Sequence, residues 1–191
     1  MTRFWGRKLN RKKIKPRALL FLFLILIAVN IGHIGRCFYP FHYRELTLQY
    51  ARTYNVDPLL LAAIMKAESN FDHRAVSKKG ARGLMQIMPD TGTWIAGRMG
   101  AAAFNPEALF EPGTSIKFGA WYIADLRKEF RGDTILVLAA YNGGRGNVKN
   151  WFAGKELSGV LIEIKQIPFP ETRHYIKKVL WYRRVYNLLY R

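Results

Sequence analysis

Residues 18–34, ALLFLFLILIAVNIGHI, hold no Asp, Glu, Lys or Arg and are crowded with Leu, Ile and Phe. Water is a poor solvent for such a run, so the chain must either bury it or place it in a bilayer. As a helix, seventeen residues span roughly 25 Å at about 1.5 Å each, slightly short of a hydrocarbon core of about 30 Å. Flanking residues near Trp5 and Tyr39 must then help at the interfaces. Immediately before the run, residues 1–17 carry eight Lys/Arg and no acid. That asymmetry puts residues 1–17 in the cytoplasm and everything after about residue 36 outside the membrane. A cleaved signal peptide would want a small-x-small site, and NIGHIGRCFYP offers only a poor one. A lipoprotein site would want a small residue before Cys37, where Arg36 stands. The expected organisation is a basic arm (1–17), an uncleaved transmembrane signal-anchor (18–35) and an extracytoplasmic domain (40–191).

Charge separates two kinds of partner. The formal net charge is +18, and beyond residue 17 there remain 23 basic against 13 acidic residues. The outer domain should therefore be drawn to an anionic envelope polymer or a membrane surface. No nucleic-acid partner is expected, because topology accounts for the basic arm and no aromatic-interleaved or helix-turn-helix pattern follows it. Cys37 is the sole cysteine, which excludes an intrachain disulfide, and His33, His42, His73 and His174 are too scattered for a metal site. With half its residues apolar, the chain can build a core without staples. A monomer without metal or cofactor is expected.

From about residue 40 the periodicity is helical. Leu46, Tyr50 and Tyr54 recur at four-residue spacing. DPLLLAAIMKAES supplies Asp57 as N-cap, Pro58 at the first helical position and a run to Glu68. Leu61, Ile64, Met65 and Glu68 share one face of that helix. Ile116 to Phe130 mark another helix that closes near Gly132, and DTILVLAAYN, capped by Asp133, is apolar nearly all round and so central. The last helix runs from about Glu171 to Tyr190, with Ile176, Val179, Leu180, Tyr186 and Leu189 inward and Lys177, Lys178, Arg183 and Arg184 mostly wet. A short β element near residues 83–88 is the most sheet the sequence supports. The fold class is mainly α.

Glu68 is out of place as a structural terminus. Burial disfavours its charged form, and so does the negative end of a helix dipole, where Lys would serve better. A carboxyl kept protonated near neutrality is what a general acid requires, above all one that protonates a glycosidic oxygen. A solvated helix end is the plainer reading of the peptide taken alone.

Three more motifs follow in order: GARGLMQIMPDT (80–91), AAYNGG (139–144) and IPFPETRHYI (167–176). With Glu68-Ser69 they resemble the lytic transglycosylases of the soluble lytic transglycosylase family, over roughly residues 42–186. The resemblance implies a goose-lysozyme-like helical domain acting on the glycan strands of peptidoglycan. It implies Glu68 as the catalytic acid/base, and Ser77, Gln86, Met88, Thr91, Ala140, Tyr141, Asn142 and Glu171 as substrate contacts, with Tyr141 hydrogen-bonding near the catalytic carboxyl. Plainer roles stay open: Leu84, Met85, Ile87 and Met88 as core, Glu171 as a partner for its helix dipole, and Tyr141 as ordinary packing. Gly92 and Gly97 depart from the pattern by weakening the helix expected after Pro89.

Glycosidases generally use two carboxylates, whereas here Asp72 and Asp90 fall on surface turns and one candidate remains. A single acid suffices if the substrate supplies the nucleophile, as the resemblance implies for cleavage of the MurNAc-β-1,4-GlcNAc bond to 1,6-anhydro products. A hydrolytic muramidase on the same fold and a catalytically silent wall-binding or assembly protein are the alternatives.

Overall fold

The structure, a computed structural model, describes residues 16–101, 103–153 and 162–191. Of the basic arm, residues 1–15 lie outside the described residues. The chain divides into two compact units, Met1–Pro40 and Phe41–Arg191.

In the first unit, α1 (Pro16–Phe38) is a single helix. Its stretch Leu19–Phe38 is long and apolar enough to cross a membrane, at 20 residues, with none of it buried against protein. The helix continues through Gly35, Arg36 and Cys37, which adds a turn to the seventeen uncharged residues and brings the span to about 30 Å.

The second unit is helical: α2 (Arg44–Tyr54), α3 (Pro58–Glu68), α4 (Pro89–Arg98), α5 (Pro112–Glu129), α6 (Thr134–Gly143), α7 (Arg145–Trp151) and α8 (Pro170–Tyr190), with 3-10 turns at Pro106–Phe110 and Ile164–Gln166. No strand forms among the described residues. Two isolated antiparallel bridges, Val76 with Arg82 and Arg82 with Ile87, fold the segment between α3 and α4.

α3 is the axle of this unit. Asp57 Oδ1 accepts from the Leu59 amide at 2.9 Å and Pro58 occupies the first turn, so the start of the helix is fixed locally. Leu60 through Met65 are all buried, each large side chain contributing about 1.5–3 kcal/mol of burial. α8 packs along α3, and α6, buried from Leu136 to Ala140, packs against α8 and α5. Asp133 Oδ1 caps α6 through the Ile135 and Leu136 amides, and Gly144 closes it at φ +89°.

Two expectations shift. In α2, Thr47 and Ala51 are buried while Leu46, Tyr50 and Tyr54 are only half-buried. A four-residue repeat advances 40° per step around a 3.6-residue helix, so small residues at the contact let α2 sit closely on α5 and α3. Second, α4 runs through both glycines. A Cβ at Gly92 would lie 3.0 Å from the Phe104 ring, so a larger residue fits there only if that ring shifts by a few tenths of an ångström. Gly97 faces open space and only lowers helix propensity.

Candidate active site

Glu68 is the last residue of α3, and the chain leaves the helix abruptly after it. Ser69 donates its hydroxyl to the Met65 carbonyl at 3.2 Å and to the Leu84 carbonyl at 2.9 Å, pinning the helix end to the folded segment that follows. Asn70 and Phe71 both adopt left-handed backbone, at φ +52° and +64°. Lys66 Nζ holds the Asn70 side chain at 2.6 Å. The acid is thus carried by a rigid helix and a braced exit.

Burial pushes the Glu68 carboxyl up to about 7, opposed by Tyr175 and by the Lys178 ammonium. Both opposing groups come from α8, one turn apart. Lys178 Nζ donates to the Ala67 carbonyl at 3.0 Å, satisfying an orphan acceptor at the C-terminus of α3 while placing its charge beside the carboxyl. Lys178 is therefore half-buried and bound, not wet as its sequence position suggests. The buried Tyr175 hydroxyl makes no hydrogen bond of ordinary geometry, yet it lies within the carboxyl's range, and the Glu68 charge in turn helps hold its phenol protonated, burial being the larger cause. Tyr141 feels Glu68 in the same way. Its hydroxyl donates to the Met85 carbonyl at 2.7 Å and its ring packs 5.6 Å from that of Tyr122.

The segment from Ser77 to Met88 forms a wall braced both within itself and from outside. Ser77 Oγ accepts from the Ala81 amide at 3.0 Å. Gln86, at φ +46°, donates through Nε2 to the Ala75 and Gly83 carbonyls at 3.0 and 2.9 Å. Ser115 Oγ accepts from the Met85 amide at 3.2 Å. Leu84, Met85 and Ile87 are core, the plainer of the two readings, whereas Met88 is exposed at the start of α4 and Thr91 is half-buried on its first turn. Ala140 is buried beneath Tyr141, and Asn142 is exposed. Glu171 is exposed in the first turn of α8, one turn before Tyr175.

Sequence reasoning missed the roles of Tyr175 and Lys178, and named Ser69 only as the residue after Glu68. Glu171, Tyr175 and Lys178 stand at i, i+4 and i+7, one face of α8, and that spacing could have found the two that flank the acid. Asp72 and Asp90 are exposed, as expected, but Asp90 lies in the first turn of α4 and not on a surface turn.

Residues 45–159 match the family described as the transglycosylase SLT domain, and residues 166–191 match the soluble lytic transglycosylase helical domain. The chain is 36% identical over 153 residues to the soluble lytic murein transglycosylase of Salmonella typhimurium, covering 78% of this chain and 23% of that protein. The Escherichia coli K12 protein of the same description is 34% identical with the same coverage. Among solved structures, an inactive Glu-to-Gln mutant of lytic transglycosylase Slt from Pseudomonas aeruginosa superimposes with a TM-score of 0.71 at 32% identity, over 78% of this chain and 24% of the other. The 70-kDa soluble lytic transglycosylase of Escherichia coli gives 0.73 at 32% identity, over 81% and 25%, and has also been solved in complex with bulgecin A. The chain spans about a quarter of the length of these relatives.

Proposed function

The chain belongs to the transglycosylase SLT domain family, and we propose that it is a peptidoglycan lytic transglycosylase in which Glu68 serves first as acid and then as base. The observation that carries this reading is one half-buried carboxyl, whose pKa burial pushes up to about 7, at the end of a rigid helix and flanked by Tyr175 and Lys178. A group with that pKa is substantially protonated at neutral pH and returns easily from carboxylate to acid.

In the first step the Glu68 carboxyl gives its proton to the oxygen of the MurNAc-β-1,4-GlcNAc bond. The C1–O bond breaks as the muramoyl N-acetyl oxygen closes on C1, and Glu68 is left as carboxylate. In the second step the carboxylate takes the proton of the muramoyl 6-hydroxyl, whose oxygen attacks C1 and displaces the acetyl oxygen. The 1,6-anhydro ring is closed and Glu68 is protonated again. Atoms balance without water, metal or cofactor. Lys178 steadies the transient carboxylate, and Tyr175 offers it a hydroxyl. The Pseudomonas relative, inactive as a Glu-to-Gln mutant, supports a single decisive glutamate.

Glycan strands would run along the wall of residues 77–91 and the end of α6, over Met88, Thr91, Tyr141 and Asn142. Ser77 and Gln86, whose donors or acceptors brace the wall, would act chiefly by holding its shape. Ala140 would form the floor, and Glu171 the rim at α8. α1 would hold the domain on the outer face of the cell membrane.

Purified wall digested by the enzyme should yield disaccharide-peptides one water lighter than hydrolysis gives, ending in anhydromuramic acid and free of ¹⁸O from labelled water. Glu68→Gln should lower this cleavage by about 10²- to 10⁴-fold, the usual contribution of general acid–base catalysis. Reducing muramic ends that carry ¹⁸O would replace the transglycosylase with a muramidase.

A further inference from the structure

A groove of about 730 Å³ lies at the opposite end of α3 from Glu68, about 15 Å away along the helix at about 1.5 Å per residue. Its basic lining is Arg44 from α2, Arg183 and Arg184 from α8, and Arg191 just beyond that helix, and its apolar lining includes Leu48, Leu59 and Leu180. Asp57 is the acid among its lining residues, and it is already engaged twice, by the Leu59 amide and by Arg183 Nε at 2.6 Å. That ion pair engages Arg183 through Nε. Neither Arg44 nor Arg184 forms an ion pair among the described residues.

Four arginines lining one concave site repel each other. They are explained by an anion. Guanidinium forks suit tetrahedral phosphate oxygens, while the leucines beside them suit acyl or glycerol carbons. An inorganic ion would use only the first of these features. Phe41, which also lines the groove, follows by three residues the end of an apolar helix of membrane-crossing length. Three residues reach at most about 10 Å, so a bilayer holding that helix keeps Phe41 within reach of its surface.

We propose that this groove binds the phosphate headgroup of an anionic phospholipid. The site is distinct from the glycan cleft, and occupation would fix the catalytic domain against the membrane by its Phe41 end, with Glu68 at the far end of α3 turned toward the wall. The inference is independent of the chemistry at Glu68.

The test uses the full chain in non-ionic detergent, titrated with water-soluble dihexanoyl phosphatidylglycerol, with dihexanoyl phosphatidylcholine, and with inorganic phosphate, while amide exchange is followed by mass spectrometry. Phosphatidylglycerol should protect residues 41–60 and 180–191, phosphatidylcholine should not, and phosphate should act only at far higher concentration. Arg44→Gln with Arg184→Gln should weaken the protection at least about tenfold, whereas Lys128→Gln with Arg131→Gln, exposed at and just beyond the end of α5, should leave it unchanged. Unchanged exchange in α3 and α6 of the ligand-free variants establishes that they are folded, and Arg44→Lys with Arg184→Lys, which keeps the charge, should retain part of the binding. Equal protection by phosphatidylcholine, equal potency of inorganic phosphate, or full protection in the arginine-to-glutamine pair would each overturn the assignment. Wall cleavage by the same preparations reports separately on Glu68.

Discussion

At the scale of single residues, burial holds Glu68 at a thermodynamic disadvantage that the proposed chemistry would use. Its carboxyl sits at about 7 where an ordinary one sits near 4.5, so the folded chain binds a proton that the unfolded chain releases. The contribution of this group to stability is therefore present below about pH 4.5, is lost as pH rises toward 7, and stays lost above it. The difference corresponds to about 3 kcal/mol. Glu68→Gln, which cannot ionise, should be near neutral for stability at pH 4 and stabilising by up to that amount at pH 8, read by urea unfolding at the two pH values. A variant equally stable to wild type at both would mean that the carboxyl is better solvated than its burial implies. The neighbours give a kinetic counterpart. Lys178 and Tyr175 both favour the carboxylate, so Lys178→Met and Tyr175→Phe should each move the alkaline limb of the pH–activity profile upward from about 7. A role in packing alone would lower activity at every pH and leave the limb where it was.

Among the elements, the two helices that matter most were legible for local reasons. Asp57-Pro58 and Asp133 are capping signals that need no tertiary knowledge, and the apolar runs behind them are too continuous to be anything but core. What remained hidden depends on contacts across the chain. Lys178 reads as a solvent-facing cation on an amphipathic helix, and only the approach of α8 to the end of α3 shows that it bonds Ala67. Gly92 and Gly97 look alike in sequence and differ entirely in surroundings. The wall between α3 and α4 is the extreme case, since its shape rests on long-range bonds such as Ser69 to Leu84 and Met85 to Ser115. Gly83 is the tightest point there. It holds φ +71°, and a Cβ would fall 1.9 Å from the Leu109 carbonyl oxygen, a backbone atom that has no rotamer by which to move aside. Left-handed strain and overpacking each cost about 1–2 kcal/mol or more, so Gly83→Ala should destabilise the domain by at least about 2 kcal/mol and reduce activity by displacing Met85 and Tyr141. Gly97→Ala is its control, with open space around it and an expected gain of a few tenths to about 1 kcal/mol in helix propensity. Chemical denaturation of the two variants should separate them in opposite directions from wild type.

For the whole molecule, the question is what would keep a strongly basic domain beside the wall it is proposed to cleave. Two forces are available, and salt distinguishes them. The charge beyond residue 17 attracts any anionic surface, but at 1 M salt the screening length falls to about 3 Å and that attraction largely vanishes. Insertion of Leu19–Phe38, a stretch with the length of a hydrocarbon core and none of it buried against protein, is driven by apolar transfer and is indifferent to salt. The full chain should accordingly stay with the membrane fraction through a 1 M salt wash and leave it only in detergent, while protease added outside intact spheroplasts should digest residues 41–191. Removal of residues 18–35 should convert this behaviour to one that salt reverses, the residual binding then being due to charge alone. Release of the intact chain by salt, or a mature N-terminus near residues 36–40, would show that the apolar helix does not anchor the domain. In that event the bilayer would no longer be kept near Phe41, and the arginine groove would have to find its anion in solution or in the wall.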